Sequence, residues 1–497
     1  MSRHLLDEDL VRVRGDHPDA LHDARSDRVI RTLYWGDEID FVDDAENEDR
    51  GVRDVRIRIY NYAGGEMQDA YVRKRRENGC NRPLRLRAGG APGLLEVTFV
   101  DVQQGDATFI RTPGGRRVLI DGGEEAFIAR LLASVSPGTC PQNPLVLDAL
   151  VVSHGDAHHF AGLAALAESR DHPEPRKRLH VRVPRVYHNG LVKRPEKLGG
   201  RRLRETERFG ASVRYKGEQF VTELFDDPRM AHAMNGEFAR WKQALGSLLT
   251  ANGAVLRRLR AGDHDAFDFL SGEGLEILVL GPLEESVDAK PALRILRDDR
   301  GAQSASHTIN GHAVVLKVRY GNVRMLLGGA RDVEGSQRLL DWVDHHHPPV
   351  SLQSEVFKVP HHGSHAYLPA FLQAVAPVVS VVSSGDEGPG RERAHPRANL
   401  LAALGRYSRG EAPLLFSTGL VAAYAYRHLA RSEPRRDARS SRAFHAFERL
   451  HFGVIRVRTD GERVLVAPET AADPIKDAYA FHVNEQGGVL PDTYSSV

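Results

Sequence analysis

The chain has 497 residues, a formal net charge of +1, and 41% hydrophobic against 27% charged residues. This length predicts two or three structural units, because single cores rarely grow beyond about 300 residues. The sequence has no stretch of about 18 uncharged apolar residues, which excludes an ordinary membrane-spanning helix, and its balanced charge gives no overall basic surface of the kind that nucleic-acid-binding domains carry.

The N-terminus and the cysteines indicate the compartment and the available metal ligands. The N-terminal segment alternates charges and lacks the apolar core of a secretory signal, which predicts a cytoplasmic protein. The two cysteines, Cys80 and Cys140, are too few for a disulfide framework and form no CxxC pair. Histidines and carboxylates are therefore the expected ligands of any metal ion.

Residues 1–90 have the pattern of a small β-rich accessory domain. Residues 33–35 and 56–60 alternate like short strands, with an acidic, turn-rich segment between them. Glycines and a proline in residues 87–93 then predict a linker. We therefore expect a domain boundary near residue 90.

Residues 91–467 are predicted to form the main domain. Its first strand patterns are apolar along much of their length and are joined by short glycine-containing turns, which predicts a β-meander. They cover residues 94–102, 107–112 and 116–123. A helical pattern at 127–135, a buried strand at 148–154 and a second helical pattern at 159–169 follow. Strand, polar loop and helix in this order is an arrangement in which catalytic groups collect at strand ends.

Residues 170–300 are charged and irregular, with a helical piece at 236–251, and are predicted to be an elaborated insertion. Further strand patterns begin near its end. They cover residues 275–282, 312–321, 323–329, 354–364 and 378–385. A helix is expected at 396–408, two last strands at 454–467 and a C-terminal tail at 468–497. Alternating strands and helices on both sides of the insertion predict an α/β layered fold.

The loop after the strand at 148–154 is the main candidate metal site. It carries four candidate ligands within six residues: His154, Asp156, His158 and His159. Imidazole nitrogens and carboxylate oxygens are the ligands that hydrolytic Zn²⁺ or Mn²⁺ sites use, and a single short loop can present them to one ion or to two. The alternative is a polar loop in which Asp156 caps the following helix and the histidines are exposed.

Two other strand ends carry matching chemistry. His361 and His362 follow the strand pattern that precedes Pro360, and Asp121 ends the pattern at 116–123. An aspartate at a strand end is often only a turn former. Because three strand ends offer ligand chemistry, a shared site is favoured over three unrelated turns.

Five segments, taken in order, resemble the motifs of the metallo-β-lactamase superfamily. They are FVDVQQGDATFI (99–110), VLIDGG (118–123), VVSHGDAHHFAGL (151–163), VRMLLGGARD (323–332) and FKVPHHGS (357–364). The branch that contains the hydrolase domain of the competence protein ComEC is the most similar. The resemblance covers about residues 95–385 and extends to 467 if the last strands are included.

This resemblance implies a metallo-β-lactamase αββα four-layer sandwich with one or two ions of Zn²⁺ or Mn²⁺ at the sheet edges. It implies hydrolysis of phosphate esters, as a phosphodiesterase or nuclease that uses a metal-activated water. The expected ligands are His154, Asp156, His158, His159 and His362. His361 is expected to contact the leaving group or act as general acid, and Asp121 to ligate the ion or to orient a ligand histidine.

The chain departs from the superfamily pattern at two places. The pattern HxHxDH is replaced by His154-x-Asp156-x-His158-His159, which exchanges an imidazole and a carboxylate but keeps good ligands. Ala330 stands where the family's LLTGD motif has an aspartate that bridges two ions, and Asp332 follows two residues later. Without that bridging anion, a single ion or an inactive site becomes the expectation, because repulsion between two dications is no longer offset.

The alternative function that Ala330 suggests is a catalytically degenerate binding or regulatory protein. Its working surfaces, and the contacts of any protein partner, would be the N-terminal domain and the insertion. Other histidines give weaker signals: His312 begins a strand, His395 precedes Pro396 at a place where related proteins often have this pair, and His264 and residues 345–347 have the pattern of surface loops.

Overall fold

The structure, a computed structural model, describes most of the chain. The described residues are 3–8, 10–15, 29–42, 54–61, 66–74, 76–77, 80–87, 92–250, 253–328, 332–385, 395–410, 413–419, 432–436, 443–447, 453–469 and 478–492. Their α-helices are α1 (Phe127–Val135), α2 (Ala157–Phe160), α3 (Gly162–Glu168), α4 (Gly236–Leu248), α5 (Ala305–Gly311), α6 (Val333–His345), α7 (Pro369–Val375) and α8 (Ala398–Tyr407). No helix within these ranges is long and apolar enough to cross a membrane.

Several of the N-terminal strands alternate buried and less buried side chains, as a sheet with one covered face requires. They are β1 (Arg3–Leu5), β2 (Leu10–Gly15), β3 (Val29–Tyr34), β4 (Glu38–Phe41), β5 (Asp54–Asn61), β6 (Glu66–Arg73), β7 (Arg76–Glu77) and β8 (Cys80–Asn81). The first six form one sheet in the order β1-β4-β5-β6-β2-β3, while β7 and β8 pair separately. This N-terminal sheet has its own apolar cluster, which includes Val13, Phe41 and Ile57.

The strands of residues 95–258 come next in the chain. They are β9 (Leu95–Phe99), β10 (Thr108–Arg111), β11 (Arg117–Ile120), β12 (Leu145–Val146), β13 (Ala149–Val152), β14 (Val181–Arg182), β15 (Arg185–His188), β16 (Lys197–Leu198), β17 (Arg201–Arg202), β18 (Ser212–Tyr215), β19 (Glu218–Val221) and β20 (Val255–Arg258). The strands β9, β10 and β11 pair antiparallel in sequence order, which confirms the predicted β-meander. The helical pattern at 127–135 is also confirmed, by α1.

The remaining strands complete two large sheets. They are β21 (Leu275–Gly281), β22 (Glu285–Val287), β23 (Lys290–Arg294), β24 (Val315–Tyr320), β25 (Val323–Gly328), β26 (Val356–Lys358), β27 (Val379–Val382), β28 (Leu414–Ser417), β29 (Ser432–Arg436), β30 (Ala443–Phe447), β31 (Val454–Thr459), β32 (Arg463–Glu469), β33 (Tyr479–Val483) and β34 (Val489–Pro491). One sheet has the order β20-β15-β13-β11-β10-β9-β31-β32-β33-β34, and the other β21-β24-β25-β26-β27-β28.

Three apolar clusters hold these sheets and helices together. The largest contains side chains of both large sheets, such as Phe99, Val151 and Leu316, so the two sheets share one core. A second cluster joins the ten-stranded sheet to α1, α3 and α4. A third joins the sheet that contains β24 and β25 to α6, α7 and α8. The architecture is therefore a mixed α/β one.

Parts of the predicted insertion and tail belong to the large sheets. The strand β15 pairs parallel to β13 and β20 pairs parallel to β15, while β21 is an edge strand of the sheet that contains β24. The strands β33 and β34, within residues 468–497, extend the ten-stranded sheet. The strand pattern predicted at 275–282 is confirmed by β21, whereas β15 and β20 are only four residues long and give no distinct strand pattern in the sequence.

Several strand ends meet at one edge of this assembly. The parallel pair β11 and β13 brings Asp121 and Ser153 to the same edge, and the antiparallel strand β10 begins there, close to Asp106. The two sheets are tied together at this edge by a hydrogen bond from the Val314 amide to the Ser153 carbonyl oxygen, at 2.8 Å. Residues from both sheets can therefore form one site.

Candidate metal centre

The loop between β13 and α2 holds its histidines inside the protein. His154 and His159 are fully buried, and His158 is partly buried. The His159 carbonyl oxygen accepts from the Gly122 amide at 2.6 Å, and the His158 carbonyl oxygen accepts from the Asp106 amide. Gly105, at φ +143°, is needed here because a Cβ on it would lie 2.2 Å from the His158 carbonyl oxygen. The predicted alternative of exposed histidines in a capping loop does not describe this loop.

His361 and His362 reach the same place from β26 in the other sheet. Both residues have left-handed backbone conformations, at φ +53° and +52°, which are unfavourable for side chains with a Cβ. Such strain persists where the surrounding structure fixes it, and it is common at functional sites. The turn directs the buried His362 side chain towards the β13–α2 loop.

The imidazoles of four histidines are packed together. The ring centroids of His154 and His159 are 3.9 Å apart, and those of His158 and His159 are 4.6 Å apart. The His362 ring lies 4.9 Å from that of His158 and 5.2 Å from that of His159. One ligand atom from each of His158, His159 and His362 can be chosen so that all three lie within 4.8 Å of one another. The three imidazoles are therefore close enough to be candidate ligands of one ion.

Hydrogen bonds orient three of these rings. The Nδ1 atom of His362 lies 3.1 Å from the Ser383 carbonyl oxygen, and Nδ1 of His159 lies 2.9 Å from Oδ2 of Asp121. Nδ1 of His154 lies 3.0 Å from the Ser153 hydroxyl. A carbonyl or carboxylate can only accept, so Nδ1 of His362 and of His159 carries the proton and Nε2 keeps its lone pair. That is the tautomer of a metal-binding histidine with an oriented ring.

The Nε2 atoms of His154, His159 and His362 are buried and have no hydrogen-bond partner among the described residues. Buried polar atoms are nearly always paired, so three such atoms in one cluster need an explanation. A bound cation is the explanation that fits their chemistry, because each presents a lone pair. Burial also lowers the pKa of His154 to about 4 and that of His158 to about 3, and keeps the pKa of His159 well below its usual value. The imidazoles of His154, His158 and His159 therefore favour the neutral form that can coordinate a metal ion.

Asp121 organises the loop. Its Oδ1 accepts from the Ser153 amide at 2.7 Å, and its Oδ2 accepts from the Ser153 hydroxyl at 2.5 Å and from His159. Because the Ser153 hydroxyl donates to Asp121, its oxygen is available to accept from Nδ1 of His154. Burial raises the pKa of Asp121 well above its usual value, and the hydrogen bonds from Ser153 counteract this shift. Of its two predicted roles, this geometry suits orienting a ligand histidine.

Asp106 and Lys358 form a buried ion pair beside the histidines. The sequence alone did not predict this pair. The Lys358 ammonium contacts Oδ2 of Asp106 and also donates to the Val359 carbonyl oxygen at 3.2 Å. Oδ1 of Asp106 lies 3.4 Å from Nδ1 of His362. Burial alone would raise the pKa of Asp106, but Lys358 and His362 hold it well below its usual range. Both residues lie within the recognised segments 99–110 and 357–364, which was the only available signal.

The described residues offer two groups of possible metal ligands, His158 with His159 and His362, and Asp106 with Asp121 and His159, and Asp156 belongs to neither. Its Oδ1 accepts from the Lys193 ammonium at 3.0 Å, and both side chains are largely buried. Burial opposes the ionised form of Asp156, but Lys193 and His154 lower the pKa of its carboxyl. The structure therefore gives this predicted ligand a lysine partner.

The other candidates lie around the site or away from it. His361 and His395 face each other with ring centroids 6.5 Å apart, and Nε2 of His312 lies 2.7 Å from the Arg294 carbonyl oxygen. Asp332 caps α6 by accepting from the Gly335 amide at 2.7 Å. Ala330 lies outside the described residues.

Two of the weaker histidine signals fall in helices rather than loops. His345 is the last residue of α6, and His264 begins a 3-10 segment that ends at Glu273. The ring of His346 stacks on Trp342 at 4.2 Å. The expected surface loop is therefore replaced by helical structure at His264 and His345, whereas residues 346–347 lie beyond the end of α6 and are not helical.

Comparison with known proteins finds a family similarity for the part of the chain that contains the β13–α2 loop. The family model described as the metallo-beta-lactamase superfamily matches residues 100–237. A search of curated protein sequences finds no match. The mixed α/β architecture is consistent with the fold of this superfamily.

Two solved structures show a remote likeness. A diphosphatase from the PhnP family is 10% identical, with a TM-score of 0.26, over 57% of this chain and 85% of its own. CmlA, a diiron β-hydroxylase from Streptomyces venezuelae, is 12% identical, with a TM-score of 0.28, over 67% of this chain and 54% of its own. At such TM-scores neither likeness bears on the activity. The stretch of this chain that is similar to the metallo-β-lactamase superfamily, residues 100–237, includes Asp106, Asp121 and the clustered histidines after β13.

Proposed function

We propose that this chain is a metal-dependent hydrolase that cleaves a phosphodiester, with its ion held within the cluster of His154, His158, His159 and His362. The observation that carries the proposal is the buried set of Nε2 atoms without hydrogen-bond partners, in a cluster whose Nδ1 atoms are held by acceptors. Imidazole is a good ligand for Zn²⁺, whereas Mn²⁺ prefers carboxylates, so Zn²⁺ suits this cluster better.

The residues of the site have separate tasks in this proposal. The chemistry that a divalent ion supplies in such a site is Lewis acidity and a water whose pKa falls to about 7. Asp121 and the Ser383 carbonyl oxygen hold the protons on Nδ1 of His159 and His362, so that the opposite ring nitrogens face the centre. His361 and His395, at the turn after β26, are placed to hold a proton for the leaving oxygen.

The substrate class rests on family resemblance. Hydrolases are common in the metallo-β-lactamase superfamily, and the segment FKVPHHGS resembles the ComEC-like branch, in which phosphate esters, often nucleic acids, are the expected substrates. The αββα four-layer arrangement is part of the proposal, and the three apolar clusters support it. A protein partner would bind through the N-terminal sheet or the segment between β15 and β20.

Metal analysis and a generic phosphodiester test this proposal. Purified protein is expected to contain near-stoichiometric Zn²⁺ or Mn²⁺ and to hydrolyse bis(p-nitrophenyl) phosphate. His159→Ala is expected to lose the metal and at least 100-fold in turnover, because it removes a ligand and its hydrogen bond to Asp121. The matched control is His345→Ala, an exposed histidine at the end of α6, which should change neither quantity.

Two results would contradict the proposal in different ways. If the protein binds no ion even with added Zn²⁺ or Mn²⁺, both the proposed metal centre and the proposed activity are contradicted. Protein that binds its ion but hydrolyses no phosphodiester would favour the binding or regulatory function that Ala330 suggests.

A further inference from the structure

Lys193 brings a positive charge into the metal centre from outside the recognised motifs. It lies in the segment after β15, and its ammonium is 3.0 Å from Oδ1 of Asp156. The Lys193 and Asp156 side chains are 19% and 16% exposed, so the pair is close to the surface but largely shielded from water. Lys193 is also near enough to His154 to disfavour a positive charge on that imidazole. The ammonium is therefore part of the site and not of the outer surface.

The backbone around Lys193 is firmly held. The Lys193 carbonyl oxygen accepts from the Asn235 amide at 2.8 Å, and Asn235 caps the N-terminus of α4 by accepting from the Phe238 amide at 3.0 Å. The neighbouring Arg194 amide donates to the Arg208 carbonyl oxygen at 2.7 Å. Phe238 in turn packs against Gly155 of the histidine loop. These contacts fix the point from which the Lys193 side chain reaches Asp156.

Each described carboxylate around the histidines already has a specific partner. Asp106 is paired with Lys358, Asp121 accepts from Ser153 and His159, and Asp156 is paired with Lys193. The ligands that remain are imidazoles, which carry no negative charge. Two adjacent dications repel each other strongly, and neutral ligands do nothing to offset that repulsion. The charge distribution therefore suits one ion together with one nearby ammonium.

We propose that Lys193 takes the place of a second metal ion. By pairing with Asp156 it limits the centre to one ion, and its ammonium binds an anionic oxygen of the substrate phosphate beside that ion. An ammonium is a compact point charge with three donors, so Lys193 can keep its bond to Asp156 while donating to a phosphate oxygen. The role of the ammonium towards substrate rests on the proposed function, whereas the count of metal ions does not.

Measuring the number of bound metal ions tests whether Lys193 limits the centre to one ion. The wild-type chain, dialysed against excess Zn²⁺ and measured by elemental analysis, is expected to hold one ion per chain. Lys193→Met is expected to raise this number towards two, because it frees the Asp156 carboxylate beside His154. The double variant Lys193→Met/Asp156→Asn should return to one. Lys197→Met, which changes an exposed lysine four residues away, is the matched control and should stay at one.

Inhibition by inorganic phosphate tests whether the Lys193 ammonium binds an oxygen of the substrate phosphate. Lys193→Met is expected to weaken phosphate inhibition of bis(p-nitrophenyl) phosphate hydrolysis by about tenfold, as loss of one charge-assisted hydrogen bond predicts. Lys193→Arg, which keeps the charge, should retain most of the affinity. If turnover is absent, phosphate binding to the Zn²⁺-loaded protein by calorimetry gives the same comparison.

The outcomes separate this inference from the proposed function. Two ions per wild-type chain, or one ion per chain in Lys193→Met, would overturn the inference and leave a metal-dependent hydrolase intact. Unchanged phosphate affinity in Lys193→Met would overturn the anion-binding role. If the numbers of bound ions are as expected but the wild-type chain does not hydrolyse phosphodiesters, the proposed function alone is contradicted.

Discussion

At the scale of single residues, the site depends on which ring nitrogen of each histidine carries its proton. The acceptors that decide this are not ligands themselves: the Asp121 carboxylate, the Ser153 hydroxyl and the Ser383 carbonyl oxygen. A histidine with the proton on the wrong nitrogen presents an N–H to the ion and cannot bind it. The residues behind the ligands therefore determine affinity as much as the ligands do.

Asp121→Asn tests this dependence with almost no change in volume. The amide offers one acceptor in place of two and adds donors that face Ser153 or His159, so the His159 ring loses its preferred tautomer. We expect the affinity for Zn²⁺ to fall by about 10- to 100-fold. The measurement is a competition titration with a chromophoric chelator. Asp171→Asn, at an exposed ion pair with Arg170, is the control, and equal affinities in the two variants would contradict the role of Asp121.

Residue-scale prediction from the sequence found the histidines but not all of their neighbours. Four candidate ligands in six residues are a local signal, and the structure brings His154, His158 and His159 together with His362 as expected. Asp106 with Lys358, and Asp156 with Lys193, are pairs separated by many residues in the chain. Such pairings depend on the tertiary fold, so a periodic or short-range pattern does not reveal them.

At the scale of secondary-structure elements, the long apolar strands were easier to predict than the short charged ones. The meander of β9, β10 and β11 could be predicted because buried strands are continuously apolar. The strands β15 and β20 begin or end in arginines and were assigned to an insertion, although both lie in the ten-stranded sheet. The strand β15 lies inside the sheet and is only four residues long, and β20 is an edge strand with largely unburied side chains, so neither gives an extended apolar run in the sequence.

Lys317 in β24 shows what a charge inside a strand costs. Burial, and then repulsion from Arg324, lowers the pKa of Lys317 to about 8 from its usual 10.5, although its ammonium contacts the Ser351 carbonyl oxygen. Between these two values the unfolded chain binds a proton that the folded chain does not, so the free energy of unfolding should rise with pH from about 8 to 10.5.

The measurement is urea unfolding at several values of pH across that window. Lys317→Met should lose this part of the pH dependence while other titrating groups continue to contribute equally to both proteins. The difference between the two curves therefore isolates Lys317. Parallel curves for the wild type and the variant would contradict the shift.

At the scale of the whole molecule, one buried arginine connects three parts of the chain. Arg458 of β31 donates to Glu96 of β9 at 2.6 Å, to Asp37 of the N-terminal sheet at 2.6 Å, and to the Trp35 carbonyl oxygen at 2.7 Å. Burial would raise the pKa of Asp37 and Glu96, but Arg458 and Arg456 lower both. The N-terminal sheet is thus joined to the main domain by charge pairing that water does not screen.

Arg458→Met should destabilise the protein by about 3–5 kcal/mol, because it leaves two buried carboxylates without their main partner. The loss should appear in urea unfolding, and also in faster proteolysis of residues 1–90 as that sheet separates. Arg319→Met, which removes a mostly exposed arginine on β24, is the matched control and should cost less than about 1 kcal/mol. If Arg458→Met also costs less than about 1 kcal/mol, Arg458 does not join the N-terminal sheet to the main domain as described.

The place of β31 beside β9 has a consequence for anyone who shortens this chain for laboratory work. The family match ends at residue 237, and His362 completes the histidine cluster, so a fragment that stops soon after His395 contains every proposed metal ligand. Such a fragment lacks β31, and one edge of β9 then has unpaired amide and carbonyl groups. Open edges of this kind pair with other molecules. A catalytic fragment would therefore need the C-terminal strands to remain monomeric, even though none of them reaches the metal centre.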